Sequence, residues 1–317
     1  MLKFIIFVSI TNIHRMNTQL KRPDKGDPSD VLQMFPSYNL QLHCCRYWWL
    51  QHWEFNELSF PYWRIYHNSY KGAIILYDNK EYALTPDKIV IIAPNTSYAT
   101  RLYDHKIPDI GYELQGGRIN ASVSEKQLLE EKCILHLFIH FNIGMPYDNI
   151  SPGVFIYELT DHLLEKLQVI KRHLNYEHTR FSFHSSLAIQ SLIGDLLSEL
   201  PEDNWNLVTK DHRILAVLNH IENNINSELS NPILAEQARM ATNAFTRLFT
   251  EEIGTSPQKY IKKVRIDQAC ILLHHSNISI DEVAIKTGFA DRYHFSRIFK
   301  QITEVSPAKY KKVFGIK

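Results

Sequence analysis

Two sixteen-residue stretches carry the same side-chain chemistry fifty positions apart. Phe245 to Tyr260 reads FTRLFTEEIGTSPQKY, and Phe295 to Tyr310 reads FSRIFKQITEVSPAKY. Seven residues recur in register: Phe245/Phe295, Arg247/Arg297, Phe249/Phe299, Ser256/Ser306, Pro257/Pro307, Lys259/Lys309 and Tyr260/Tyr310. On a helix, the two Phe residues four apart share one face and anchor it in a core. The Arg between them lies roughly 160–200° around the axis, so it must point away from that core. A short helix with a buried aromatic face and an outward guanidinium has the parts needed to donate to base edges in a major groove.

Other residues could bind small molecules or metals. Trp63, Arg64 and Tyr66, with Trp48, Trp49 and Arg101, offer aromatic faces and guanidinium forks of the kind that hold sugars or carboxylates. Their competing role is to fill a core. His136 and His140 fall on one strand face with Phe138. No His-x-His with a following carboxylate accompanies them, so no metal site is read there. His274-His275 is read as a helix-end pair whose partial positive charge suits the helix dipole. The four cysteines (Cys44, Cys45, Cys133, Cys270) show no metal or disulfide spacing, which fits a reducing cytoplasm. No cofactor is expected.

The elements that must position the two arginines are legible around them. Ser279-Ile280-Asp281-Glu282 is a capping box opening a helix that stops at Gly288. Ser230 is the equivalent cap before Leu234-Ala235, in a helix reaching about Arg239. After each copy, Ser-Pro starts a further helix, the hydroxyl capping and the proline suiting the first turn. Ser256 to His275 as one helix would span ~30 Å, close to the ~34 Å turn of B-DNA. Helix, tight turn, second helix with outward polar residues is the helix-turn-helix plan, here twice.

The front of the chain has a different period. From about Asp30 to Gly144 short apolar runs (Tyr70 to Tyr77, Glu81 to Thr85, Lys88 to Ala93, Cys133 to Phe141) alternate with Pro, Asn and Gly turns, as in a β-barrel or jelly roll. Leu159, Leu163, Leu167 and Ile170, then Leu187 to Leu200, read as two amphipathic helices. These two are expected to dimerise the chain, with Leu163, Leu167 and Leu196 at the seam. Pro201 to Lys210 breaks the pattern and is read as a linker. Residues 1–30 read as a disordered lead-in or a mis-assigned start, with Met16 the initiator. The expected domains are thus 31–200, a linker at 201–210, and 211–317. The class is α+β in front and all-α behind.

Charge follows the same division. From Thr242 to Lys317 there are 13 Lys/Arg against 7 Asp/Glu, a surplus of six. The whole chain is +1, so the remainder is about five units negative (1 − 6). A basic tail behind an acidic front fits a nucleic-acid reader on a sensor. No apolar run reaches the ~18–20 residues that would span a bilayer.

Residues 211–315 resemble the tandem helix-turn-helix domain of AraC/XylS-type transcription activators. The resemblance rests on Leu234-Ala235, FTRLF, GTSPQKY, VRIDQA, ISIDEVA, TGF, HFSRIFK and VSPAKY. It implies DNA contacts from Asn243, Thr246 and Arg247 in one recognition helix and from Arg292, Tyr293, Ser296 and Arg297 in the other. It further implies a cupin-like front barrel, a cytoplasmic homodimer on double-stranded DNA, a small-molecule effector such as a sugar or its acid, and contact with RNA polymerase. Arg239 and Glu304 stand where the family usually has Gly, and Ala241 where a capping Ser is common. The competing reading is a metal-dependent cupin enzyme fused to a DNA-binding tail, which lacks its ligand set here. A receiver-type response regulator would need a parallel α/β front, and a repair methyltransferase a PCxR nucleophile. Neither pattern is found in the sequence.

Overall fold

The computed structural model describes residues 38–109, 111–118, 124–174, 181–205, 209 and 211–315. The expectations for residues 1–30 therefore lie outside the described residues, as do residues 206–208 and 210 of the expected linker.

Nine strands form one antiparallel sheet among the described residues: β1 (Gln41–Leu58), β2 (Trp63–Asn68), β3 (Ala73–Tyr77), β4 (Lys80–Leu84), β5 (Lys88–Ile92), β6 (Tyr98–Leu102), β7 (Tyr112–Arg118), β8 (Ile134–Asn142) and β9 (Val154–Glu158). Their order is β4-β3-β6-β1-β8-β2-β5-β9, with β7 added against β1. The end strands β4 and β9 are not paired to each other among the described residues, so the expected barrel is a half-barrel. Its spine is not a short strand. β1 runs for 18 residues and pairs with β6, β7 and β8, changing register between Leu42 and Cys44, between Leu50 and His52, and between Phe55 and Leu58. Such bulges bend a strand and let it serve several partners.

Strand alternation gives the sheet two faces with different tasks. Cys45, Tyr47 and Trp49 of β1, Trp63 and Ile65 of β2, and Leu135, Leu137, Ile139 and Phe141 of β8 pack in one cluster with two helices, α2 (Asp161–Leu174) and α3 (Phe183–Ser198). Leu163, Leu167 and Leu196 belong to that cluster and are buried against the sheet. They are thus core residues, and the seam expected of them is corrected. Their apolar stripe is an interface, but its partner is the chain's own sheet. A short helix, α1 (Glu125–Glu130), precedes β8, and Glu202–Trp205 forms one 3₁₀ turn with Trp205 against Trp63.

Behind the sheet come α4 (His212–Asn223), α5 (Asn231–Gln237), α6 (Thr242–Ile253), α7 (Pro257–His275), α8 (Ile280–Lys286), α9 (Arg292–Thr303) and α10 (Pro307–Phe314). α5–α6 and α8–α9 are the two helix-turn-helix pairs, and α7 joins them over 19 residues. The capping box at Ser279 and Glu282 is present. Of the other expected caps, the Ser306 hydroxyl accepts from Lys309 N–H at 3.3 Å, whereas Ser230 and Ser256 occupy the cap position without a side-chain bond. Arg239 and Glu304 take the left-handed backbone themselves, at φ 53° and 64°, so neither helix loses its stop for want of glycine. Among the described residues, no helix is long and apolar enough to cross a membrane.

Candidate nucleic-acid interface and adjoining cavity

The two recognition helices are built alike. Phe245 and Phe249 in α6, and Phe295 and Phe299 in α9, are fully buried. Arg247 and Arg297 stand exposed on the opposite side. Arg247 makes only a loose contact with Glu251 (3.8 Å, both exposed), the kind of surface pair worth little and readily exchanged for another anion. Asn243 is exposed, and the Thr246 hydroxyl donates back to Thr242 C=O at 2.9 Å. In α9, Tyr293 is 86% exposed, an aromatic ring that no part of the described chain covers. Arg292 is exposed and bonded to Asp281 of α8 at 3.0 Å, while Ser296 is half-buried beside Phe295. Asp291 caps α9 by accepting from His294 N–H at 2.8 Å. α6 starts at Ala241 with no such bond. All seven residues assigned to DNA contact by resemblance thus lie on the two helices α6 and α9.

The inner face of the sheet does not close on itself. It bounds a cavity of about 500 Å³ whose opposite wall comes from the second helix-turn-helix unit: His274 and His275 at the end of α7, and Phe314 at the end of α10. Alternation along β1 points Cys44, Arg46 and Trp48 into it. Arg64 and Tyr66 of β2 line it too, as do His136, Phe138 and His140 of β8. Trp63 does not. One residue out of step with Arg64, it faces α2 and α3, stacks on Phe141 and donates to Asp148 at 2.9 Å. Trp49 is turned the same way, and Arg101 is bound to Glu81 at 2.8 Å away from the cavity. Of the three foremost ligand contacts read from sequence, the structure brings together Arg64 and Tyr66, and Trp63 is corrected to core.

Arg64 dominates the electrostatics. It is buried, its guanidinium lies 3.4 Å from the centre of the Phe60 ring, and its bonds go to the hydroxyls of Tyr66 (3.1 Å), Tyr98 and Tyr62 (3.4 Å). Its Nε has no partner. Arg46 and Arg118 add two more guanidinium groups, and among the described lining residues there is no Asp or Glu. The histidines do not add charge. Burial, followed by the nearby Arg64 charge, pushes His274 down to about 3, and His140 falls well below the usual imidazole range for the same reasons. His136 is pushed to about 3 by burial and by His67. His275 is lowered by burial and by its stacked neighbour His274. The pair at the end of α7 is therefore neutral and half-buried against the sheet, which corrects the surface, dipole-stabilising role read from sequence. Tyr62 and His274 are hydrogen bonded at 2.6 Å across the seam between sheet and helix.

Sequence reasoning missed Arg46, Phe60, Tyr62, His274, His275 and Phe314 as cavity or seam residues. Strand alternation groups Arg46 with Trp48 only if β1 is recognised as one strand. Nothing local in α7 or α10 signals that their ends meet the sheet.

The Helix-turn-helix domain family model matches residues 234–312. The raffinose operon transcriptional regulatory protein RafR of Pediococcus pentosaceus is 30% identical over 129 residues, 40% of this chain and 47% of the relative. The transcriptional activator RhaS of Escherichia coli is 30% identical over 102 residues, 32% of this chain and 37% of the relative. The chain thus spans less than half the length of these curated relatives. Superposition on the crystal structure of ToxT from Vibrio cholerae covers 88% of this chain and 99% of that one, with TM-score 0.46 and 13% identity; the fold assignment rests on the sheet and helices themselves.

Proposed function

We propose that this chain, whose residues 234–312 form an AraC-type helix-turn-helix domain, is a sequence-specific transcription regulator whose grip on DNA is set by an organic anion in the cavity. The observation that carries the reading is the composition of the cavity wall: sensor on one side, the reader's own α7 and α10 on the other. A ligand shifts an equilibrium only by binding one state better than another. An anion that bonds Arg64 from the sensor side while touching His274, His275 or Phe314 binds best when the second unit is seated, so it biases where α9 stands relative to α6.

Three arginines, no carboxylate among the described lining residues and largely aromatic walls favour a carboxylate with an apolar body over a neutral sugar. Removing the unpaired buried charge by pairing it is the gain such a ligand offers. In this reading residues 31–200 sense, 201–210 link and 211–317 read, and Asn243, Thr246, Arg247, Arg292, Tyr293, Ser296 and Arg297 contact double-stranded DNA. The protein acts in the cytoplasm as a homodimeric activator that engages RNA polymerase and performs no catalysis. Leu164, Phe183 and Leu187, exposed on α2 and α3, are the apolar residues available to a dimer seam once Leu163, Leu167 and Leu196 are assigned to the core.

Footprinting of the promoter beside the gene, with and without a panel of organic acids, tests this. A protected pair of sites whose occupancy changes by about tenfold or more with one acid, and no longer changes in Arg64→Met, is the expected result. A footprint indifferent to every acid, or an Arg64→Met protein that still responds normally, removes the anion. Absence of any footprint removes the reader.

A further inference from the structure

Glu54 of β1 presents an electrostatic problem that lies apart from the cavity. Its carboxylate is almost fully buried, at 1% side-chain exposure, and its ion-pair partners among the described residues are two histidines, with no Lys or Arg. The two oxygens are divided between them: Oε2 lies 2.9 Å from His52 Nδ1, and Oε1 lies 3.0 Å from His105 Nδ1. Backbone N–H groups fix the carboxylate, Trp53 donating to Oε2 at 3.2 Å and Leu102 to Oε1 at 3.1 Å. The imidazoles approach to 5.0 Å between ring centres. Directly opposite Glu54 in the β1–β7 register is a second carboxylate, Glu113, whose Oε1 is 3.5 Å from the same His52 Nδ1.

Like charges directly opposite on paired strands repel. A buried carboxylate facing another, with only imidazoles between, calls for added positive charge. One ligand atom from each of His52, Glu54 and His105 lies within 4.8 Å of the other two. Two imidazole nitrogens with carboxylate oxygens is a set that zinc and related first-row ions accept, and backbone donors holding a ligating carboxylate are the usual outer support.

We propose that His52, Glu54, His105 and Glu113 form a divalent-cation site, with zinc the best-suited ion. One Zn²⁺ would balance the two carboxylates and replace the present Nδ1···O contacts by N–Zn–O bridges. It would cross-link β1, β7 and the segment after β6. Because Leu114 and Arg118 of β7 line the cavity, the ion would also stiffen one wall of it. The inner triad of His140, His274 and His275 meets the same spacing. It has no carboxylate, however, and its imidazoles already feel the charge of Arg64, so a dication there adds positive charge to positive.

The two clusters make each other's controls. Full-length protein is stripped with chelator at about pH 7.5, titrated with ZnCl₂ and desalted, and zinc is counted by mass spectrometry while melting is followed by circular dichroism. We expect one zinc per chain, a melting point raised by several degrees, and binding weakened by more than about 100-fold in His105→Ala. Glu113→Gln, at a more exposed ligand, should weaken it less while keeping the native spectrum. His275→Ala should retain the zinc. Wild-type protein that keeps no zinc and melts alike with metal or chelator overturns the site. So does zinc that survives His105→Ala and Glu113→Gln but is lost in His275→Ala.

Discussion

The aromatic anchors of the two helix-turn-helix units match closely in geometry and yet sit in different surroundings. Phe245 and Phe249 meet at 5.6 Å and 60°, and Phe295 and Phe299 at 5.5 Å and 59°. Tyr260 closes on Phe249 edge-on at 5.6 Å, as Tyr310 does on Phe299 at 5.5 Å. The first unit completes its core with Ile214, Val217, Leu218 and Ile221 of α4, a cluster separate from the sheet. Its link to the front includes one bond, from Met145 N–H to the Glu222 carboxylate at 3.0 Å. The core of the second unit runs without a break into Leu58, Phe60 and Tyr62 at the end of β1 and the turn into β2. Similar units can thus be given different surroundings by what is packed behind them. Under the proposed function, this difference would leave the first unit to hold DNA and the second to couple DNA to whatever fills the cavity.

Emptying the aromatic anchors is the strongest way to break that comparison. Phe249→Ala and Phe299→Ala should each cost about 3–5 kcal/mol, the range for removing a fully buried ring. Phe249→Ala should melt α4–α6 and leave hydrogen-exchange protection of β1, β2 and β8 unchanged. Phe299→Ala should lower that protection too, because its cluster includes Leu58 and Phe60. Equal protection of the sheet in both variants would mean that the second unit is no more coupled than the first.

Acid should act selectively on the same seam. His136 and His274 have folded values near 3, against about 6.5 for a free imidazole. Between those values the unfolded chain binds protons that the folded chain does not. Their contribution to stability is therefore full above about pH 6.5 and falls as pH drops toward 3, by up to about 1.4 kcal/mol per pH unit for each such histidine. Urea titrations at about pH 7.5 and about pH 5 measure the fall. His274→Gln should remove its own share of that fall. A slope unchanged by that variant would take His274 out of the coupling.

Base reading is the next effect in size. Arg247→Ala and Arg297→Ala should each lose about 1–3 kcal/mol of operator discrimination with no change in melting, as expected of an outward guanidinium bidentate to guanine. A cavity ligand should alter the affinity that depends on Arg297 and leave the part that depends on Arg247. A ligand effect that persists undiminished in Arg297→Ala, measured by competition gel shift, reverses the assignment of roles.

What the sequence makes legible divides along the same line. The readers can be seen because their signals are local: a fifty-residue repeat, Phe at i and i+4, a capping box at Ser279, Ser-Pro starts. β5 and β8 are legible as short apolar runs between turns, and alternation along β8 puts His136, Phe138 and His140 on one face. The 18-residue β1 is not, because three register changes break the period that would reveal it. The cavity is least legible. Arg64 and Tyr66 do line it and Trp63 does not, since aromatic content says nothing about which side of a strand faces the hole. His274 and His275 look like any helix end until α7 is docked on the sheet.

The smallest effect tests the repeat at one matched position. Gly254 and Glu304 both end a recognition helix in the left-handed region, at φ 75° ψ 3° and φ 64° ψ −9°. For a residue with a Cβ that region costs roughly 1–2 kcal/mol. Glycine avoids this cost but loses about 0.4–1 kcal/mol through the freedom it adds to the unfolded chain. Glu304→Gly should therefore stabilise the second unit by about 0.5–1 kcal/mol, and Gly254→Ala should destabilise the first by a similar amount. No described heavy atom lies within 4 Å of a Cβ built at Gly254, so the penalty there is conformational and involves no clash. Because Glu304 is exposed, replacing it removes no buried contact. Paired denaturant melts of the two variants give both signs in one experiment. If Glu304→Gly destabilises instead, the acidic side chain is holding something at the end of α9 that its backbone geometry does not reveal, and the two helix ends are not equivalent.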